Sequence, residues 1–379
     1  MDIDKFKHIN DTYGHHSGDA LLKAVAERLK SIITENELVA RLGGDEFGII
    51  ACHVSRIQMV SKMAIKILKC FEQPFELENL SITATVSVGI SIFPDNSIEA
   101  AELFKQAELA MYRSKKLGRN KTCFYEEKMQ QNFNDRYELE QKITHALKND
   151  EFVMCFQPII NYNKNNREFS IHGFEALIRW NLNGEMKFPD YFIPVAEDSG
   201  QIIEIGHWVL EQSVLAIKEW NNLHNENLRV AVNMSTIQLS DPNLSTVVKR
   251  TLEKHQVSGE FLEVEVTETA LIIDSELMRE NMSQLRKLGC GILLDDFGTG
   301  FSSISHLQQF PISAIKIDKS LMVKCNENDT NYQLVKGLYQ LANNMGLDVI
   351  AEGIEHKVDL DVCLKIGREK FQGYYFSRP

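Results

Sequence analysis

The sequence predicts an α/β protein in two parts: a (β/α)8 TIM-like barrel toward the C-terminus and, ahead of it, a small α/β sandwich. Three observations predict this. Eight β-type runs lie between residues 152 and 376, with helical patterns separating them from the second run onward. A separate alternation of helical stripes and short β runs fills the residues before 126. A chain of 379 residues also has the length for two to three domains with proper cores.

In the first block, Leu21, Leu22, Val25, Leu29, Ile32 and Ile33 form a helical stripe over 19–33. Short β runs at 38–42 and 47–51 flank Gly43-Gly44-Asp45-Glu46, which reads as a hairpin whose tip carries two carboxylates. Residues 55–71 read as helix, 81–93 as β-rich, and 99–116 as a helix that stops at Gly118. The polar stretch 127–137 lacks β character and reads as a helical or extended connector. That sets the domains at 1–126 and 138–379.

The β runs of the second block are 152–160, 171–178, 228–234, 261–267, 290–295, 313–318, 347–352 and 370–376. Helical patterns at 203–222, 244–256, 275–288, 330–345 and 357–366 lie among them. Only about ten residues join the first two runs, which is short for a parallel crossover and natural for a hairpin. The first barrel strand is therefore predicted to run antiparallel to the second.

Composition narrows the function. Lys and Arg total 41 against 53 Asp and Glu, a formal charge of −12. An acidic chain does not sheathe a nucleic-acid backbone, which argues against a DNA or RNA polymer as partner. Cys52, Cys70, Cys123, Cys155, Cys290, Cys325 and Cys363 are scattered without a Cys-x-x-Cys pair, and read as thiols in a reducing compartment. No apolar run approaches the ~18 residues of a membrane span. Met1-Asp2-Ile3-Asp4 is acidic at once and carries no signal peptide. The expectation is a soluble, cytoplasmic protein with no membrane segment in the chain as given. A Met at position 1 does not prove a natural start, so upstream sensor or membrane segments stay open.

The polar residues near the C-terminal strand ends are Glu175, Asn233, Glu265, Asp295 with Asp296, Lys316 with Asp318, Glu352 and Gln372. That edge is where a barrel carries its active site. Any one of these acids alone reads most simply as a loop residue or N-cap. Six oxygen-bearing side chains from five strands on one mouth are different, because unpaired carboxylates repel and so imply bound cations. Oxygen-only ligands favour Mg²⁺ or Mn²⁺ over zinc.

In order and spacing, the second block resembles the EAL-type cyclic-di-GMP phosphodiesterases over essentially its whole length. The matching segments are Gln157-Pro158-Ile159, Glu175-Ala176-Leu177-Ile178-Arg179-Trp180, Val232-Asn233-Met234-Ser235, Glu263-Val264-Glu265-Val266-Thr267-Glu268, Asp295-Asp296-Phe297-Gly298-Thr299-Gly300, Lys316-Ile317-Asp318, Ala351-Glu352-Gly353-Ile354-Glu355 and Gln372-Gly373-Tyr374. The resemblance implies hydrolysis of one phosphodiester of cyclic di-GMP to linear pGpG. It implies two divalent ions, Mg²⁺ or Mn²⁺, held by Glu175, Asn233, Glu265, Asp295, Asp296 and Glu352, with Asp296 as the bridging ligand. Lys316, Asp296 and Glu352 become the catalytic groups, Lys316 orienting or activating the attacking water. Arg179 offers a fork to phosphate, and Gln157, Asp318, Glu355 and Gln372 contact or frame the substrate. Glu268 steadies the loop after the paired aspartates, and 297–303 resembles an element coupling the site to a homodimer partner through the barrel. Plainer readings stay open: Lys316 as a partner of Asp318, and Arg179 paired with a rim carboxylate.

The first block resembles the GGDEF domain, the family that makes cyclic di-GMP from GTP. It does so through Asp2-Ile3-Asp4-Lys5-Phe6-Lys7-His8-Ile9-Asn10-Asp11, Gly14-His15, Gly18-Asp19, Arg41-Leu42-Gly43-Gly44-Asp45-Glu46-Phe47 and Lys115-Lys116-Leu117-Gly118-Arg119-Asn120. The resemblance makes Asp2 and Asp45, with Glu46 alongside, metal ligands. It makes Asn10 and Asp19 readers of guanine, and Lys7, Lys115 and Arg119 phosphate contacts, so GTP is a candidate ligand. Two departures qualify it. The family's helix and core strand ahead of the Asp2 position do not appear, so Asp2 falls at the terminus without a strand to aim it. The Arg-x-x-Asp of a product-inhibition site is also replaced by Thr34-Glu35-Asn36-Glu37. The sequence reading is a truncated cyclase-like module that binds GTP weakly or not at all, followed by a working phosphodiesterase. A bifunctional cyclase/phosphodiesterase and a non-catalytic cyclic-di-GMP receptor are the alternatives.

Overall fold

The computed structural model describes residues 1–35, 37–52, 57–77, 80–273, 275–298, 309–321, 329–367 and 369–379. The chain divides into two compact units, Met1–Glu138 and Leu139–Pro379. The stretch 127–137 is helical, the first half of the helix Glu127–Lys148.

In the first unit the strands are β1 (Asp2–Ile3), β2 (Glu37–Gly43), β3 (Glu46–Ala51), β4 (Phe75–Leu77), β5 (Leu80–Ile82), β6 (Val86–Ile90) and β7 (Thr122–Phe124). Five of them form one sheet in the order β2-β3-β1-β6-β7, while β4 and β5 form a separate hairpin. Leu21, Leu22, Val25 and Leu29 of the helix His15–Ile32 pack with Ile3, Phe47, Ile67, Phe71, Phe75 and Val86 in the core. The β-rich stretch 81–93 thus splits between two sheets. Thr85, in the break, gives its carbonyl to Asp4 N at 2.9 Å and its hydroxyl to Asp4 Oδ2 at 2.7 Å.

Asp2 does fall at the terminus, yet it is aimed. It pairs with Glu46 on one side and Ser87 on the other, and Met1 exchanges two 2.9 Å hydrogen bonds with Phe47. The short strand therefore occupies the centre of the sheet. A helix at Phe6–Tyr13, broken from the next by Gly14 at φ 83, was not read from the sequence: most of its residues are polar, and its apolar stripe is only Phe6, Ile9 and Tyr13, of which Ile9 is buried.

The second unit contributes β8 (Phe152–Asn163), β9 (Glu168–Leu182), β10 (Glu185–Lys187), β11 (Arg229–Asn233), β12 (Leu262–Thr267), β13 (Gly291–Phe297), β14 (Ala314–Ile317), β15 (Asp348–Ala351) and β16 (Lys370–Phe371). The order β9-β11-β12-β13-β14-β15-β16-β8 closes where β8 pairs back onto β9, leaving β10 outside the ring. β8 is antiparallel to both neighbours, with Gln157 opposite Glu175 and Ile160 opposite Phe371. The ring is the expected eight-stranded barrel with an inverted first strand.

Ile159, Ala231, Leu293, Ala314 and Ile350 pack as one cluster. Because side chains alternate along a strand, the residues two positions on from the last four, Asn233, Asp295, Lys316 and Glu352, share their face. The mouth is thus the next layer above an apolar floor. A larger layer, including Val230, Val264, Leu294 and Ile317, packs against the surrounding helices. Trp180, fully buried, packs on Phe152 and Phe192 with centroids 5.6 Å away in each case. Each such pair contributes about 0.5–1.5 kcal/mol beyond its buried area. Its indole Nε1 donates to Glu151 Oε2 at 2.9 Å.

The last β run is shorter than the sequence suggests. After Phe371 the chain turns at Gly373, where a Cβ would stand 2.2 Å from the Ile354 carbonyl oxygen. Among the described residues no helix is long and apolar enough to cross a membrane.

Candidate active site

Lys316 organises the mouth. At 1% exposure its ammonium meets Glu352 Oε1 at 2.7 Å, Glu265 Oε2 at 2.9 Å, Glu175 Oε2 at 3.1 Å and Asp295 Oδ1 at 3.5 Å. Burial disfavours its charge, but these carboxylates outweigh burial and hold the ammonium well above its ordinary range. These are its partners among the described residues; Asp318 instead accepts from Ser320 N at 2.8 Å.

A second layer fixes Glu175. Asn233 Nδ2 donates to its Oε1 at 2.8 Å and Gln372 Nε2 to its Oε2 at 2.5 Å. Gln372 also donates to Gln157 Oε1 at 3.0 Å, and Gln157 donates to the Ser377 carbonyl at 3.1 Å. Burial alone would raise Glu175, yet Lys316 and these donors pull its carboxyl below the ordinary value. Glu265 goes the other way: complete burial and the neighbouring charge of Glu175 push it well up, and Lys316 only partly offsets them. Burial also pushes Glu352 up to about 7, against the pull of Lys316.

Consecutive strand residues normally face opposite sides. Asp295 and Asp296 both reach the mouth because the ladder to β14 shifts register between Leu294 and Phe297, and Asp296 sits at φ 56 in the left-handed region. Ligand atoms of Asp295, Asp296 and Glu352 all lie within 4.8 Å of one another, the only such trio among the described residues. Burial raises Asp296, and the charges of Asp295 and Asp318 add to the rise. Just beyond, Gly298 N donates to Glu268 Oε2 at 3.2 Å, tying the strand end to the helix Glu268–Ile273. From Thr299 onward, the 297–303 loop lies outside the described residues.

Five acids face one ammonium here, and the buried Glu265 Oε1 has no hydrogen-bond partner among the described residues. A hard divalent cation fits that donor set: carboxylates in excess of cations, one unmatched buried oxygen, and Asn233 with its amide nitrogen turned to Glu175.

The other expected site residues are placed as follows. Arg179 is buried, donates to the Ile178 carbonyl at 2.9 Å and lies 4.9 Å from the Phe188 ring. Glu355 is ion-paired with Lys319 at the rim. In the first unit, Lys115 Nζ lies 2.7 Å from Asp2 Oδ2. Asp45 and Glu46 are half-buried at the hairpin tip, and Lys7, Asp19 and Arg119 are exposed. Asn10 Oδ1 has no hydrogen-bond partner among the described residues and stands where a Cβ on Gly18 would be 1.8 Å away.

Sequence reasoning missed a cavity of about 550 Å³ beside the mouth, lined in part by Leu177, Pro189, Asp190, Ile193, Asn233 and Glu265. One wall is the helix Pro189–Ser199. Its signals were present, Pro189 at the first turn and Gly200 as a left-handed C-cap at φ 81, but the internal Pro194 masks them.

The EAL domain model matches residues 140–379, and the diguanylate cyclase GGDEF domain model matches residues 1–121. The signaling protein YkoW of Bacillus subtilis is 35% identical over 381 residues, covering 100% of this chain and 47% of YkoW. The cyclic di-GMP phosphodiesterase PdeR of Escherichia coli is 34% identical over 380 residues, covering 100% of this chain and 56% of PdeR. The chain thus spans about half the length of these curated relatives. A solved structure of the PaMucR phosphodiesterase in complex with c-di-GMP matches with a TM-score of 0.59 at 30% identity, over 64% of this chain and 97% of that one. The chain belongs to the EAL family, its EAL domain preceded by a GGDEF domain.

Proposed function

We propose that the barrel hydrolyses one phosphodiester of cyclic di-GMP to linear pGpG with two divalent ions. The observation that carries this reading is the Lys316-centred mouth, where Glu175, Glu265, Asp295 and Glu352 converge on one buried ammonium beside Asp296. Glu175, Asn233, Glu265, Asp295, Asp296 and Glu352 would hold the ions. Bound there, Mg²⁺ or Mn²⁺ would acidify a water and neutralise phosphoryl charge. Lys316 would orient the attacking water and stabilise charge developing on the phosphoryl oxygens. Gln372 and Gln157, already joined at 3.0 Å, would keep Glu175 in position and face the substrate. Arg179 would turn from the Ile178 carbonyl to phosphate, with Asp318 and Glu355 at the rim.

The GGDEF domain in this reading does not cyclise GTP. Lys115 already holds Asp2, and no trio of ligating groups gathers there among the described residues. The unsatisfied Asn10 Oδ1 supports at most a guanine contact of regulatory kind. Homodimerisation through the barrel rests on the family resemblance.

The test is chromatographic detection of pGpG after adding cyclic di-GMP with Mg²⁺ or Mn²⁺, with an EDTA control and a Glu175→Ala variant. Metal-dependent pGpG that Glu175→Ala abolishes is the expected result. Tight binding without turnover would favour a receptor, and cyclic di-GMP or pGpG arising from GTP alone would favour a bifunctional enzyme.

A further inference from the structure

At the rim, Lys319 pairs with Glu355, and the pair is built into the backbone. Gly353 adopts φ +64 and leaves the space that the Lys319 stem fills: a Cβ at 353 would stand 2.4 Å from both Cβ and Cγ of Lys319. The left-handed glycine, two residues past the end of β15, therefore seats the lysine beside the carboxylate two residues further on. Both side chains remain open to solvent, Lys319 at 51% and Glu355 at 32% exposure, so an incoming group can reach them. This pair is separate from the four carboxylates that meet Lys316. Its chemistry is that of an adjacent acceptor and donor on the lip of a substrate site.

Guanine presents a matching edge. Its N1–H and N2–H₂ are donors for a carboxylate, and the neighbouring O6 is an acceptor for an ammonium. Adenine reverses the arrangement at the corresponding positions, turning its N6 amino group toward the cation and an unprotonated N1 toward the anion. Resting on the cyclic-di-GMP reading above, we propose that Lys319 is a specificity-determining residue: with Glu355 it reads the edge of one guanine, Lys319 donating to O6 while Glu355 accepts from N1–H and N2–H₂. On binding, the base enters between the two groups and replaces their direct contact with two charge-assisted sets of hydrogen bonds. Rejection of adenine follows because both polar groups would be left facing the wrong partner.

The experiment is steady-state kinetics of the full chain with Mg²⁺ on cyclic di-GMP and cyclic di-AMP, for the wild type, Lys319→Met and Lys319→Arg. Lys319→Met is expected to raise KM for cyclic di-GMP about 10- to 100-fold with kcat within about 2-fold, and to shrink the preference over cyclic di-AMP by a similar factor. Lys319→Arg, which keeps a donor, is expected to stay within about 3-fold of wild type. An unchanged or lowered KM in Lys319→Met, or an unchanged preference, overturns the proposal while leaving the phosphodiesterase reading intact. A wild type that hydrolyses neither dinucleotide overturns the phosphodiesterase reading itself, and this inference with it.

Discussion

Lys316 Nζ lies 2.7 Å from Glu352 Oε1, nearer than to the other three carboxylates it meets. Neither group is affordable alone in that position: a buried ammonium without its acids, or buried acids without their ammonium, is destabilising by about 3–5 kcal/mol. Lys316→Met should therefore do two things at once. Turnover should fall at least about 10³-fold, and the metal-free protein should melt earlier. Both are read from pGpG formation and from a thermal melt in EDTA. A variant with wild-type turnover would remove Lys316 from the catalytic group.

The same excess of negative charge predicts that a divalent ion stabilises the barrel. Adding Mg²⁺ or Mn²⁺ at about 100 times its dissociation constant should stabilise the protein by roughly 2.7 kcal/mol per site. Glu265→Gln, which keeps the side chain's shape but offers a neutral amide, should melt close to wild type in EDTA, since burial already pushes Glu265 toward its neutral form, and should lose most of the metal-induced increment. Differential scanning calorimetry with and without the ion checks both.

Glu268 is not one of the four acids that meet the Lys316 ammonium, and it accepts from Gly298 N at 3.2 Å just past the paired aspartates. Glu268→Ala should leave the mouth acids in place but loosen the strand end that aims Asp296. The expected result is a 10- to 100-fold loss in kcat, on the order of 1.4–2.8 kcal/mol, with the metal-free melting temperature nearly unchanged. Comparing kcat with the melt separates this from general unfolding.

At the other end of the barrel, burial and then the charges of Lys370 and Arg229 push His172 down from 6.5 to about 4, with Asp348 opposing. The folded ring stays neutral where the unfolded one takes up a proton, so the unfolded state binds more protons between those values. This contribution is complete above about pH 6.5 and is lost as pH falls toward 4, on the order of 3 kcal/mol at most. His172→Gln should flatten the stability profile over that window relative to wild type. Urea melts at pH 4.5 and 7 measure the difference.

The barrel was legible because its strands carry dense β-branched runs and because most mouth residues fall at or near a strand end, Glu175 and Gln157 in the middle of β9 and β8 being the exceptions. Asn233, Glu265, Asp295, Lys316 and Glu352 could be assigned to one face by alternation alone. The inverted first strand followed from the length of the 162–167 connection. What sequence could not give was who pairs with whom. That Glu175 is held by Asn233 and Gln372, or that Lys319 lies across Gly353, depends on three-dimensional closure between distant strands. Asp296 defied alternation for a specific reason: the bulge and its positive φ break the period-2 rule at that residue. The helix at Pro189–Ser199 was hidden by Pro194, and β1 by its length of two residues.

The reversed direction of β8 has a mechanical consequence. In a barrel of uniformly parallel strands the chain would enter at the floor, remote from the chemistry. Here Phe152, the first residue of β8, sits opposite Trp180 at the mouth end of β9, and the helical residues Leu139, Ile143 and Ala146 pack into that same cluster. The incoming polypeptide is thus fastened at the mouth end of the barrel. A pull or twist on the helix ahead of residue 152 is delivered first to the strand that carries Gln157 and to its partner carrying Glu175 and Arg179. Whatever displaces that helix therefore bears on Glu175 before it bears on the apolar floor.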